Sequence, residues 1–239
     1  MYQSNSKVTG TVISTRELTP ELRSQMYELM DRYFSNVSHS QFEADLNEKE
    51  KVIMLTEHNT GLVCGFSTQT SFTLSELLRP VRILFSGDTI IDRKHWHSNS
   101  LASLWGKMVL DLLEEAPNCE LYWLLLSKGF RTYRYLPVFF KTFYPCHNQS
   151  TPESIRELIA AAVRYKYPTR FDQETGVLYA KQYFLRPSYA NVECERLNDP
   201  HIRFFMERNP GHVRGDELCC IAQITKDNFR RSAYRIMGM

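Results

Sequence analysis

Three consecutive polar residues at the start of a predicted helix are the first candidates for chemistry in this chain. Ser98, Asn99 and Ser100 precede a segment whose apolar residues recur at the spacing of one helical face. These apolar residues are Leu101, Leu104, Trp105, Met108 and Leu112. The first backbone N–H groups of such a helix have no intrahelical partner, and the helix dipole adds roughly half a positive charge there. The pattern indicates either a binding site for a phosphate group or an ordinary helix cap.

The strand that leads into this loop carries the next candidate. Apolar runs at residues 81–85 and 89–91 flank Ser86, Gly87 and Asp88, which is typical of a strand interrupted by a bulge. The carboxylate of Asp88 either faces a cleft as a base or hydrogen-bonds the bulge itself. The next apolar run, residues 119–126, is nearly continuous and predicts a strand that is buried on both faces. A helix between two such strands indicates a crossover connection.

The composition limits the class of protein. The 239 residues are 43% hydrophobic and 23% charged, which is typical of a soluble globular chain with a sizeable core. A formal net charge of +2 is nearly neutral, so we expect no nucleic-acid partner. The longest apolar run, residues 121–126, is far shorter than the roughly 20 residues that span a bilayer, and residues 1–7 are polar. We therefore expect a cytoplasmic protein with no membrane partner and with reduced cysteines, since no C-x-x-C pair is present.

Elements of both types precede and follow the central segment. Before it we predict a strand at residues 8–15, a helix capped by Thr19, a helix at about 40–47 and a hairpin of strands 51–56 and 62–72. After it come an aromatic segment, 130–145, a helix from Thr151, and strands at 176–180 and 217–224. We expect one domain over residues 1–239, with a core at about 8–145 and a C-terminal extension at about 146–239 packed on it.

This order of elements is similar to that of the GNAT superfamily of N-acetyltransferases, and the resemblance covers about residues 8–145. In that family the loop after the central strand usually reads Gln or Arg, two residues, Gly, any residue, then Gly or Ala. Here His95 stands in the basic place, and Ser98 and Ser100 stand in the glycine places. The resemblance implies an α/β, acetyltransferase-like fold: a mixed, partly antiparallel sheet flanked by helices, with the C-terminal extension added.

The resemblance also implies a co-substrate, acetyl-CoA or another acyl-CoA. Its pyrophosphate would lie on the backbone amides of Ser98, Asn99 and Ser100, and its pantetheine arm would pair with the strand at Thr89, Ile90 and Ile91. Nearby side chains that could add positive charge are Arg93, Lys94 and His95. Serine in place of glycine can donate a further hydrogen bond to phosphate, although its Cβ narrows the approach.

The general acid of such an enzyme is often a tyrosine in the helix after the buried strand, and two registers compete for it here. If Phe139 and Phe140 replace the family's Phe-Tyr pair, the acid is missing. If the helix is counted from Ser127, the acid is Tyr133, with Tyr135 as a neighbour. We prefer Tyr133, against the alternative that these aromatic residues only pack a cleft wall. Asp88 would be the base for a small-molecule amine or other acyl acceptor.

Other sites are less well supported. His95 and His97 with Asp92 lack a further partner at ligand spacing, so we expect no metal. Motifs of serine hydrolases, nucleotide triphosphatases and dinucleotide enzymes are absent from the sequence. The leading function is an acyl-CoA-dependent N-acyltransferase. The alternative is a catalytically silent module that binds acyl-CoA or a partner. If the strands diverge near Ile91 and Leu126 and the opening leads to a carboxylate, the enzyme is favoured. If the cleft is closed and filled by aromatic side chains, the silent module is favoured.

Overall fold

A computed structural model describes residues 7–75, 79–116, 118–180 and 183–237. Its strands are β1 (Val8–Ser14), β2 (Phe34–Ser35), β3 (Lys51–Glu57), β4 (Val63–Leu74), β5 (Val81–Ile91), β6 (Glu120–Ser127), β7 (Phe171–Asp172), β8 (Val177–Leu178), β9 (Phe184–Leu185) and β10 (Glu217–Gln223). Its α-helices are α1 (Pro20–Tyr33), α2 (His39–Asn47), α3 (Ser100–Glu115), α4 (Phe130–Tyr133), α5 (Tyr135–Phe139), α6 (Glu153–Lys166), α7 (Pro187–Ala190), α8 (Pro200–Arg208) and α9 (Arg231–Met237).

The main sheet has the strand order β1-β3-β4-β5-β6-β10-β8-β7. β5 and β6 are parallel, with α3 as the crossover between them, and the other neighbouring pairs are antiparallel. β2 and β9 form a separate small antiparallel pair. The arrangement confirms the predicted α/β class, a mixed and mostly antiparallel sheet flanked by helices.

Local signals explain where the main helices begin and which side they bury. Thr19 accepts a hydrogen bond from the backbone N–H of Leu22, and Pro20 occupies the first turn of α1. α1 buries the face that its sequence predicts, including Met26, Leu29 and Met30. α3 does the same, and its buried residues are Leu101, Ala102, Trp105, Gly106, Met108, Val109 and Leu112. Among the described residues, no helix is both long and apolar enough to cross a membrane.

The predicted bulge in β5 is confirmed, and it coincides with a divergence of strands. Thr89 pairs with Ser67 and Ser86 pairs with Gln69, so two residues of β5, Gly87 and Asp88, oppose one residue of β4. The parallel pairing of β5 with β6 ends at Ser86, whereas β5 continues to Ile91. The last five residues of β5 therefore have β4 on one side and a gap on the other.

The C-terminal part of the chain contributes a strand to the middle of the sheet. The strand predicted at residues 217–224 is present as β10, which lies between β6 and β8, and its residues from Leu218 to Ala222 are almost fully buried. The predicted strand at 176–180 is reduced to Val177–Leu178. The aromatic segment 130–145 forms the short helices α4 and α5 followed by irregular chain. Phe139, Phe140 and Phe143 in it are buried, and the rings of Phe139 and Phe140 pack against Trp105 of α3.

Candidate functional site

A cleft of about 470 Å³ opens where β5 and β6 part. Its walls come from the end of β5, the loop before α3, the segment from Gly129 to Phe139, and the region around β2, β9 and α7. The apolar lining residues include Phe34, Ile90, Ala102, Phe130, Val138, Phe139 and Leu185. The polar lining comes from the loop, from arginine side chains and from the hydroxyl groups of threonines and tyrosines, so the cleft suits a long ligand with an apolar arm and a charged end.

The end of β5 turns backbone groups into this cleft. Asp92 donates its N–H to Cys64 O in β4 at 2.8 Å, whereas the carbonyl of Ile91 accepts from the indole N–H of Trp96 at 2.8 Å. Because successive residues of a strand point their backbone groups to opposite sides, the N–H and C=O of Thr89 point the same way as those of Ile91, away from β4. Thr89, Ile90 and Ile91 all line the cleft.

The loop before α3 forms another part of the cleft wall. Ser98 and Asn99 line it, and α3 begins at Ser100. The Ser98 hydroxyl accepts from the Ser100 N–H at 3.2 Å and donates to the Ser100 hydroxyl at 2.8 Å. The Asn99 side chain makes no capping hydrogen bond. Ser100 itself lines an adjoining open groove together with Asn99 and Arg235.

His95 does not lie in the cleft, contrary to its expected place beside the phosphates. The residue is 5% exposed, and its Nε2 atom lies 3.0 Å from Oε1 of Glu57. Arg93 is exposed, its backbone N–H donates to the Tyr33 hydroxyl at 2.6 Å, and its guanidinium lies 5.8 Å from the Trp96 ring. Among the described residues, no group of three or more His, Cys, Asp or Glu side chains is arranged to hold a metal ion.

Three arginines of the cleft were missed by the sequence analysis: Arg131, Arg134 and Arg196. Arg131 stacks over Trp96, with 4.3 Å between its guanidinium carbon and the ring centroid. The pKa of Arg131 is lowered first by desolvation and then by the charge of Arg196, which itself pairs with Glu193 at 3.5 Å. No sequence motif joins these residues, because Arg196 comes from the C-terminal extension.

A small polar chamber of about 60 Å³ adjoins the cleft and contains Asp88. Phe34, Thr89 and Thr132 line both spaces and therefore mark their junction. The Oδ1 atom of Asp88 accepts a hydrogen bond from the Tyr183 hydroxyl at 2.8 Å. Tyr183 lies 95 residues away in the C-terminal extension, so local sequence reasoning could not find this partner.

Other ionisable side chains surround this chamber. The pKa of Asp45 is raised by burial and then by the charge of Asp88. Burial raises the pKa of Tyr183 well above its usual value, so its hydroxyl stays protonated and acts as a donor to Asp88. Lys128 pairs with Glu217 at 3.2 Å, and its Nζ lies 3.8 Å from the Tyr183 ring centroid.

The chamber continues into an outer pocket of about 300 Å³. Five residues line both: Asp45, Lys128, Tyr167, Tyr183 and Glu217. The outer pocket adds side chains of both charges, which are Glu48, Lys166 and Arg170. A ligand could therefore reach Asp88 from this pocket while another ligand occupies the cleft.

Tyr133, the expected acid, does not line the cleft. It is fully buried, and its hydroxyl donates to the carbonyl of Pro145 at 3.0 Å. Thr132 and Tyr135 are the nearby residues that line the cleft. In α4, which begins at Phe130, neighbouring side chains point in different directions. Thr132 therefore faces the junction, whereas Tyr133 faces the core.

Comparison with known proteins gives similarity of structure only. No protein-family model and no curated protein sequence matches the chain. A GNAT family N-acetyltransferase (YhbS) from Escherichia coli, solved with CoA, is 14% identical with a TM-score of 0.37, and 53% of this chain and 67% of that chain are covered. NAA60 from Arabidopsis thaliana with a bisubstrate analogue is 12% identical with a TM-score of 0.40, covering 56% and 87%. The NatC complex bound to Gag peptide and CoA is 11% identical with a TM-score of 0.42, covering 92% and 99%. Likeness at this level assigns no role to any residue of this chain.

Proposed function

We propose that this chain is an acyl-CoA-dependent N-acyltransferase that transfers an acetyl or longer acyl group to an amine. One observation carries the proposal: the gap between β5 and β6 is an open cleft that meets, at Thr89 and Thr132, a polar chamber containing Asp88. A two-substrate transfer needs this arrangement, because the thioester and the nucleophile must meet at one point from separate entrances.

The cleft residues divide between the two ends of an acyl-CoA. The pantetheine amides would pair with the free backbone groups of Thr89, as an added strand does. The pyrophosphate would lie near Ser98 and Asn99, where the free N–H groups of α3 favour an anion. Arg131 and Arg93 would add positive charge around the phosphates.

The reaction would proceed by direct attack of the amine on the thioester carbonyl. The acceptor would enter through the outer pocket, and Asp88 would take the proton from its nitrogen, directly or through one water molecule. The hydrogen bond from Tyr183 would hold the Asp88 carboxylate in place. The mixed charges of the outer pocket would bind a small polar amine.

The alternative is a silent module that binds acyl-CoA without turning it over. The burial of Tyr133 favours this alternative, since it removes the expected acid from the cleft. The open junction favours the enzyme, because a binding module has no need of an entrance that leads to a carboxylate.

Isothermal titration calorimetry with CoA, together with thiol release from acetyl-CoA and longer acyl-CoAs over a panel of amines, tests the proposal. Asp88→Asn should lower kcat by roughly 10²-fold to 10⁴-fold and leave CoA affinity nearly unchanged. Asp111→Asn, at an exposed position of α3, is the control and should keep the wild-type rate. Binding of CoA without turnover on any amine would favour the silent module. Failure to bind CoA would contradict both functions.

A further inference from the structure

A chain of buried hydrogen bonds crosses three strands and ends at Thr89. It begins at the indole N–H of Trp123, which donates to Ser86 Oγ at 2.8 Å. The Ser86 hydroxyl is 2.7 Å from Gln69 Oε1, and Gln69 Nε2 is 2.7 Å from Ser67 Oγ. Ser67 Oγ is in turn 2.7 Å from Thr89 Oγ1. Trp123, Ser86, Gln69 and Ser67 are at most 3% exposed.

The chemistry of these groups and the need to pair each buried proton favour one direction for the bonds in the chain. An indole nitrogen can only donate, so Ser86 Oγ accepts from Trp123 and gives its own proton to the Gln69 carbonyl oxygen. The amide nitrogen of Gln69 then faces Ser67 and donates to it. The buried Ser67 proton has Thr89 Oγ1 as its acceptor, because a buried hydroxyl that keeps its proton unpaired is destabilised.

Thr89 therefore accepts from Ser67 and has its own proton left over. The acceptor within reach is the carbonyl of Gly87, at a longer distance of 3.3 Å. Thr89 is half-buried and is one of the residues that line both the cleft and the Asp88 chamber. Its side chain lies on the same face of the sheet as that of Ser67, since the two residues are directly paired. A hydroxyl held as a donor at this junction lies where a thioester would react.

We propose that the Thr89 hydroxyl donates a hydrogen bond to the thioester carbonyl oxygen and stabilises the negative charge that develops there, which rests on the proposed acyltransferase function. The amine nitrogen bonds to the carbonyl carbon, the carbonyl oxygen becomes an oxyanion, and the C–S bond breaks as the C=O bond re-forms. Asp88 takes the proton lost by nitrogen, and CoA leaves as a thiolate that takes a proton from water. Thr89 keeps its proton throughout, and Trp123, Ser86, Gln69 and Ser67 act as positioning residues.

An infrared difference spectrum of bound acetyl-CoA labelled with carbon-13 at the thioester carbonyl tests this without an acceptor amine. In the wild type and in Thr89→Ser, the labelled carbonyl band should lie at lower wavenumber than in free acetyl-CoA. In Thr89→Val, which has nearly the same shape without the hydroxyl, the shift should be lost while calorimetry still shows binding. With an amine substrate, Thr89→Val should lower kcat by roughly 10²-fold to 10³-fold.

A second variant tests the direction of the chain. In Gln69→Glu at alkaline pH, the introduced carboxylate accepts from both Ser86 and Ser67, so Ser67 no longer donates to Thr89 and instead accepts its proton. The band shift should then be lost although Thr89 is intact, which a purely structural role would not produce. A shift that persists in Thr89→Val overturns the proposal. Acetyl-CoA that binds the wild type with an unshifted band also overturns it but leaves the acyltransferase function standing, whereas acetyl-CoA that does not bind at all removes both.

Discussion

The hydroxyl of Tyr133 has a structural role in the core rather than a place in the cleft. It donates to the carbonyl of Pro145 at 3.0 Å, between rings of Phe143 and Phe205. Tyr133→Phe should therefore lower the free energy of unfolding by about 0.5 to 1.5 kcal/mol, because it leaves that carbonyl without its partner. The catalytic rate should stay within about twofold of the wild type.

Chemical denaturation and steady-state kinetics of the same preparation measure these two quantities. Tyr135→Phe is the control, since Tyr135 lines the cleft and should show no comparable loss of stability. If Tyr133→Phe instead slowed turnover by about 100-fold or more, as loss of a general acid does, Tyr133 would return to the mechanism.

The site was predictable from sequence where a residue's role follows from its place in a strand or loop. Five residues that were expected to contact one ligand do line one cleft: Thr89, Ile90, Ile91, Ser98 and Asn99. Tyr133 was assigned by counting along a helix, and a shift of one residue in α4 is enough to bury its side chain. His95 was assigned by its place in a motif, and a turn of the loop is enough to bury it. Tyr183 and Arg196 are distant in sequence and could be found only in the folded chain.

At the scale of elements, a substitution at Asn99 can separate the stability of α3 from its affinity for a ligand. Asn99 precedes the helix but its side chain caps no N–H group. Asn99→Asp should leave the stability of α3 unchanged or raised, because aspartate is as good a cap as asparagine and its charge complements the helix dipole. The same charge should repel a pyrophosphate, so CoA affinity should fall by about 10-fold to 100-fold.

Calorimetry with CoA and thermal unfolding of the ligand-free protein separate these two effects. Asn99→Ser, which can also cap but carries no charge, should retain the wild-type affinity. An Asn99→Asp variant that binds CoA as well as the wild type does would place the phosphates elsewhere than at α3.

The elements themselves were largely predictable because each carries its own periodicity or cap. The bulge was visible in Ser86, Gly87 and Asp88, since polar residues and glycine interrupt an apolar strand. The connection of β10 to the sheet was expected, but its position between β6 and β8 depends on long-range pairing that no local pattern encodes. For the same reason, the role of the C-terminal extension in completing the site around Asp88 was not foreseen.

At the scale of the whole molecule, we infer that the N-terminal core and the C-terminal extension unfold as one unit. β10 pairs with β6 along six residues, and Ile221 in its middle is fully buried and exchanges two backbone hydrogen bonds with Tyr144. Tyr183 of the extension reaches Asp88, and Leu185 lines the cleft. Loss of β10 packing should therefore disturb the proposed site around Asp88 as well as the extension.

Ile221→Ala should lower the free energy of unfolding by about 2 to 5 kcal/mol through the cavity that it leaves, and the whole chain should respond in a single transition. Val12→Ala, at a position 38% exposed on the edge strand β1, is the matched control and should change stability by only about 0.5 kcal/mol. Far-ultraviolet circular dichroism and tryptophan fluorescence should give the same midpoint, because Trp105 and Trp123 lie in the core with ring centroids 4.4 Å apart and report on the N-terminal part. Saturating CoA should raise that one midpoint, since the ligand binds only the folded chain. Two separate transitions in Ile221→Ala, with the tryptophan signal unchanged in the first, would show instead that the extension folds independently of the core.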